Sequence, residues 1–204
     1  MLLKTMKSNP NRCWSTKNPL YIRYHDEEWG VPVHDDQKIF EMLSLEGFQA
    51  GLTWELILKR REALKKAFAN FSPKVVAGYN MHDVENIIKN PSVIRNKAKV
   101  TATINNAQVF LQIQNELGSF DKFIWQFVNG KPIDHRFQSM SEMPAQTEES
   151  CIMSKELKKQ GFRFVGPTIC YAFMQAVGMV NDHLTFCFRY NQIRKQDEAF
   201  EAKP

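Results

Sequence analysis

The chain has 204 residues, 43% of them apolar and 12% aromatic, with 27 Lys and Arg against 22 Asp and Glu for a net charge of +5. That length and apolar content suit one large or two small globular domains with a real core, which excludes a chain too polar to fold. The N-terminal stretch MLLKTMKSNPNR has too short an apolar run for a secretion signal, and nothing in the sequence marks membrane insertion, so neither secretion nor a membrane span is expected. The expected setting is the cytoplasm. There, four cysteines act as metal ligands or buried thiols rather than disulfides. The mild basic balance, with a pI near 9.0, leans toward a polyanionic partner without requiring one.

Met1 to Pro10 carries no motif and reads as an extension, with a single domain expected over 11–190 and a loose charged tail over 191–204. The first informative stretch is NPLYIRYHDEEWGVP, 18–32, read as a short irregular segment. Tyr21, Tyr24 and Trp29 crowd around His25 and the acids Asp26, Glu27 and Glu28. Aromatics with polar tips suit a binding pocket, although packing between helices also uses them. Cys13 lies twelve residues before His25.

Apolar residues at three- and four-residue steps then predict helices over 35–52 and 53–68, the second capped by Thr53. Glu46 stands in the first of these on the face of Phe40 and Leu43, where a lone carboxylate is costly unless something positive or hydrogen-bonding meets it. Gly47, Ala50 and Gly51 leave that backbone open to close approach. Ser72 and Pro73 signal the next helix start. A helix over 81–90 stops at Pro91, a long one runs over 93–117, and another follows Ser119. Asn129 to Ser150 is polar, aperiodic and carries two prolines, so it reads as a long connection between two helical lobes.

Beyond it, helices over 154–160 and 167–178 flank Gly161 and Gly166-Pro167. This fits a tight hairpin whose free amides at a helix N-terminus attract one phosphate, with Lys158 and Lys159 upstream and Thr168 alongside. A helix-hairpin-helix over about 154–178 grips a DNA backbone in this way without reading sequence, and an ordinary αα-hairpin fits the pattern equally well. His183 and Cys187, four residues apart, would share one face of a helical turn. On their own they read as packed side chains, but with Cys13 and His25 they complete a Cys₂His₂ set that would tie the two chain ends around one ion. Cys151 and Cys170 have no nearby His. No run alternates long enough for a sheet, so the fold is expected to be all-α.

The motifs YIRYHDEEWGVP, LEGFQAGLTW and GFRFVGPTICYAFMQAVGMVNDH, with the closing His-x-x-x-Cys, resemble in order and spacing the 3-methyladenine DNA glycosylase I family of the helix-hairpin-helix superfamily. The resemblance runs from about Arg12 to Tyr190. It implies a helical glycosylase that removes N3-methyladenine from alkylated double-stranded DNA and leaves an abasic site, acting as a monomer without a protein partner. It further implies one structural zinc on Cys13, His25, His183 and Cys187, and a base pocket from Tyr21, Tyr24, Trp29, Trp54 and Glu46. Gly51 and Leu52 would enter the DNA as a wedge, and Gly161 to Thr168 would hold a phosphate.

Glu46 is the expected catalytic residue, binding the base without acting as nucleophile. Asp182, the one acid just after the hairpin helix, adjoins His183 and is expected to orient that ligand or to cap a helix, with no catalytic role. Phe48 stands where the family tends to carry Gln. Readings from other classes are a zinc-stabilised DNA-binding protein without catalysis, a glycosylase for another lesion and a purely structural protein. The carboxylate among aromatics speaks against the first.

Overall fold

Helix start signals account for most of the architecture. The structure is a computed structural model that describes the backbone of residues 10–201; all of the expected extension but Pro10, and the last three residues of the tail, lie outside the described residues. Helix α1 spans Pro19–Glu27 where an irregular segment is expected: Pro19 takes the first helical position and the Asn18 side chain accepts from the Leu20 N–H at 3.0 Å. Aromatic richness obscures the cap in the sequence, but the cap decides the local conformation.

Helix α2 spans Asp36–Gln49 with Asp35 as its cap, and it ends before the expected Leu52 because the chain turns at Ala50 and Gly51. Helix α3, Trp54–Ala67, starts on Thr53 as expected. Helix α4 is the single turn Pro73–Val76, and α5 spans Met81–Lys89 behind a reciprocal cap between Asn80 and Asp83. Helix α6, Lys97–Leu117, begins at Asn96 rather than residue 93, since the Asn96 side chain accepts from the Lys99 N–H. Helix α7 is Phe120–Trp125.

The expected connection over 129–150 holds two departures. Ile133–Asp134, strand β1, pairs in parallel with Val180–Asn181, strand β2, with Ile133 opposite Val180. Its last residues already belong to α8, Glu148–Gln160, because Thr147 and Ser150 cap each other reciprocally. Helix α9 spans Pro167–Ala176 and α10 spans Phe188–Glu201. The loose tail expected from residue 191 is therefore helical, and Ile193 in it is fully buried.

Helix α2 is the centre of the molecule. Its buried residues run continuously from Ile39 to Glu46, and it packs against α3, α6 and α9. The aromatic core stacks alongside, with Phe110 4.0 Å from Phe120 and 5.2 Å from Phe40, centroid to centroid. Each such ring contributes about 1.5–3 kcal/mol by leaving water. A helix surrounded in this way can hold a carboxylate out of solvent, and α2 carries Glu46. The two chain ends meet across the same body: the Phe188 N–H donates to the Asn11 carbonyl at 3.1 Å, and the Gly30 N–H to the Gln175 carbonyl at 3.0 Å.

Candidate active site and metal centre

Cys13, His25, His183 and Cys187 lie buried together, their ligand atoms all within 4.8 Å of one another. Cys13 Sγ is 3.4 Å from His183 Nδ1, and Cys187 Sγ is 3.6 Å from both His25 Nε2 and His183 Nδ1. A tetrahedral zinc with sulfur and nitrogen ligands sets those edges at about 3.5 Å. His183 and Cys187 do not share a helical turn as expected. They sit in the irregular turn between β2 and α10, closed by the Cys187 N–H donating to the Leu184 carbonyl at 2.7 Å.

Hydrogen bonds select the tautomers. His25 Nδ1 is 2.8 Å from the Asp26 carboxylate and His183 Nε2 is 2.9 Å from the Trp29 carbonyl oxygen. Both partners are acceptors, so those nitrogens carry the protons and the lone pairs of the other two face the sulfurs. Burial would raise the Asp26 pKa, but hydrogen bonds from Arg12 and His25 outweigh it and hold the carboxyl below its usual range. One of the two sulfurs, that of Cys187, is shifted toward the thiolate. The Cys13 thiol donates to Cys187 and pulls the Cys187 pKa down while its own rises, and the Leu184 N–H donates to Cys13 Sγ at 3.3 Å. The four residues can hold a metal ion.

Next to this cluster lies a cleft of about 270 Å³. Tyr21, Tyr24 and Trp29 reach it from α1 and the turn after it, Glu46 from α2 and Trp54 from the start of α3. All five residues expected to form a pocket therefore meet in one place. Tyr24 and Trp54 stand 5.1 Å apart at 54°. Glu46 is 3% exposed, its Oε2 has no hydrogen-bond partner among the described residues, and burial pushes its pKa up to about 8. The Trp54 indole N–H is buried without a partner too.

The contrast with neighbouring acids is informative. Glu28 is met by Arg61 at 2.8 Å and Lys38 at 3.1 Å, and Glu41 by Arg61 at 2.7 Å and Lys38 at 3.2 Å. Burial alone would raise the Glu28 pKa, yet Arg61 brings it down to about 2. Glu28, Lys38 and Arg61 line a larger cleft of about 540 Å³. Of the three carboxylates, only Glu46 is kept from a cation.

A second cleft of about 410 Å³ shares Glu46, Gln49 and Ala172 with the first and runs out between Gly51-Leu52 and Thr168-Ile169. The predicted wedge residues and Thr168, at the start of α9, thus flank one groove. Leu52 is 37% exposed, and Gly161, Lys158, Lys159 and Thr168 also face solvent. The hairpin closes with Gly161 at φ +100°, a left-handed conformation that glycine adopts without strain, and Gly166 opens α9. Lys159 pairs with Glu156 at 3.5 Å.

Asp182 departs from expectation. Its carboxylate accepts from Tyr171 Oη at 2.5 Å, Gln175 Nε2 at 2.7 Å and His135 Nδ1 at 2.6 Å, rather than orienting His183 or capping a helix. Gln175 lines the cleft beside Glu46, as do Trp14, Met140 and Met143, none of which the sequence marks as pocket residues. Trp14 had one local signal, its place beside Cys13. The methionines arrive on the long connection, where aperiodic sequence carries no signal of direction. Phe48 is buried against Phe68, 5.7 Å between centroids, and so belongs to the core.

This mostly helical fold is shared with solved DNA glycosylases. A crystal structure of 3-methyladenine DNA glycosylase I matches it with a TM-score of 0.85 at 47% identity, over 87% of this chain and 98% of that one. A Tyr-to-Phe variant of 3-methyladenine DNA glycosylase I, in complex with 3-methyladenine, matches with a TM-score of 0.83 at 38% identity, over 85% and 93%. The DNA-3-methyladenine glycosylase 1 of Escherichia coli is 48% identical over 180 residues, 88% of this chain and 96% of that protein. The methyladenine glycosylase family model matches residues 14–190, and the chain belongs to that family.

Proposed function

We propose that this protein excises N3-methyladenine from alkylated double-stranded DNA by turning the nucleotide out of the stack into the cleft around Glu46. The observation that carries this reading is the unpaired buried carboxylate among aromatic rings. Methylation at N3 makes the adenine cationic while it is still bonded to the sugar. Such a base supplies the counter-charge that Glu46 lacks, whereas neutral adenine leaves the carboxylate uncompensated. Tyr24 and Trp54 offer faces to the cationic ring, each contact contributing about 0.5–2 kcal/mol. Flipping costs a few kcal/mol, less for a damaged base.

The cationic base is already a good leaving group and needs no proton. The C1′–N9 electron pair departs with the base and neutralises it, a water oxygen bonds to C1′, and the proton left over goes to solvent. Glu46 favours the charged reactant, orients the base and makes no covalent bond. Leu52 on the Gly51 turn fills the space that the base leaves, and the α9 N-terminus with Thr168 and Lys158 holds a backbone phosphate. In this reading Cys13, His25, His183 and Cys187 hold a structural zinc, which supplies cross-linking of the chain ends and, closed by four protein ligands, no water for the reaction.

The test is chromatography of free bases after incubation with methylated duplex DNA. N3-methyladenine is expected in solution, with N7-methylguanine left in the DNA. No release from a folded, zinc-loaded sample that still binds DNA would overturn the proposal.

A further inference from the structure

The C-terminal end of α2 and the hairpin are joined by one face of α6. Lys99, 6% exposed, donates from Nζ to the carbonyl oxygens of Phe48 at 2.8 Å and Ala50 at 2.6 Å. These lie at the C-terminal end of α2, where carbonyls lack partners within the helix and the dipole is negative. Both contacts of Lys99 Nζ are therefore to that helix end. Two turns further along α6, Asn106 brackets the hairpin: its Nδ2 donates to the Arg163 carbonyl at 2.9 Å and its Oδ1 accepts from the Arg163 N–H at 2.8 Å. Asn105 adds a bond to the Gly161 carbonyl at 2.8 Å.

The two clamped elements touch. A side-chain carbon at Gly47 would stand 3.5 Å from Phe164 Cβ, and Phe164 is held at φ +55°, a conformation non-glycine residues rarely take. A small space of about 10 Å³ between them is walled by Gly47, Lys99, Asn106 and Phe164. Glu46, Gly47 and the Gly51-Leu52 turn therefore stand at one spacing from the hairpin loop, and Lys99 and Asn106 set it.

We propose that Lys99 and Asn106 are positioning residues for excision, holding the turn that carries Leu52 in register with the hairpin so that gripping the backbone and seating the base occur together. This rests on the reading above of Gly51-Leu52 and the hairpin as the DNA-contacting elements. Binding of free 3-methyladenine needs the cleft alone, whereas excision from a duplex needs cleft, turn and hairpin in register.

Lys99→Met, Lys99→Arg, Asn106→Leu and Leu52→Ala separate the possibilities. Each is measured for kcat/KM on methylated duplex, for free 3-methyladenine affinity by quenching of tryptophan fluorescence, and for Tm. Lys99→Met is expected to lose tenfold or more in kcat/KM while free-base affinity stays within twofold, and Lys99→Arg to recover part of the loss. Asn106→Leu should show the same split, and it decides the matter if Lys99→Met does not fold. Unchanged duplex excision in either folded variant, or base affinity falling in step with excision, would overturn the proposal. Unchanged excision in Leu52→Ala would instead overturn the reading of the turn on which it rests.

Discussion

His183 donates to the carbonyl oxygen of Trp29 across 2.9 Å, and through that bond the Cys–His cluster supports a wall of the cleft around Glu46. Cys13 precedes Trp14 and Tyr24 precedes His25, so residues of the cluster and aromatics of the cleft are neighbours along the same short segments.

The first prediction concerns the ion. One zinc per chain is expected by elemental analysis, and chelation or Cys187→Ser should lower Tm by about 10 °C or more, because the site closes a loop between the chain ends. The excision rate per folded molecule should change much less. A metal-free protein of full stability would refute the assignment.

Glu46→Gln should cost about 100-fold or more in excision while retaining DNA binding, since the amide keeps the shape but not the charge. It should also stabilise the protein at alkaline pH. The folded-state pKa of Glu46 is raised to about 8, so the wild type loses stability as pH climbs from the ordinary carboxylate range through about 8. Thermal melts of the pair should therefore diverge with rising pH, the variant being the more stable. Equal melts at pH 9 would mean that the carboxylate has a partner.

The same shift predicts the pH dependence of catalysis. If the ionised form receives the cationic base, kcat/KM rises with pH up to about 8 and then levels, while the residual activity of Glu46→Gln is flat over that range. A wild-type profile with no inflection between about pH 7 and 9 would show that Glu46 is already ionised in the empty cleft.

Gly178 joins α9 to β2 at φ +69°, and a Cβ there would fall 2.3 Å from the Val31 carbonyl carbon and 2.4 Å from the Pro32 nitrogen. Backbone cannot yield as a side chain can, so Gly178→Ala should cost about 3 kcal/mol or more. Gly51, at φ +74° with nothing within 4 Å, should lose only the about 1–2 kcal/mol of a left-handed alanine. Denaturant titration of both variants checks the order; equal losses would mean that the chain around Val31 moves freely.

Much of this protein was legible in its sequence because many of its signals are local. Thr53 and Pro167 mark helix starts, and the Cys₂His₂ set emerges from residue type and position. Where local signals competed, the weaker-looking one prevailed: the Asn18-Pro19 start overrode an aromatic cluster, and the Thr147–Ser150 cap began a helix inside a stretch that reads as loop.

Tertiary structure alone decided the pairings. Arg61 reaches Glu28 and Glu41 and leaves Glu46 unpaired, a choice that no local pattern around the three glutamates encodes. Asp182 adjoins His183 but accepts from Tyr171, Gln175 and His135. Caps and periodicity act over a few residues, within reach of a sequence pattern. Whether a buried charge meets a partner depends on elements far apart in the chain, as Cys13 and His183 are, 170 residues apart and 3.4 Å from sulfur to nitrogen.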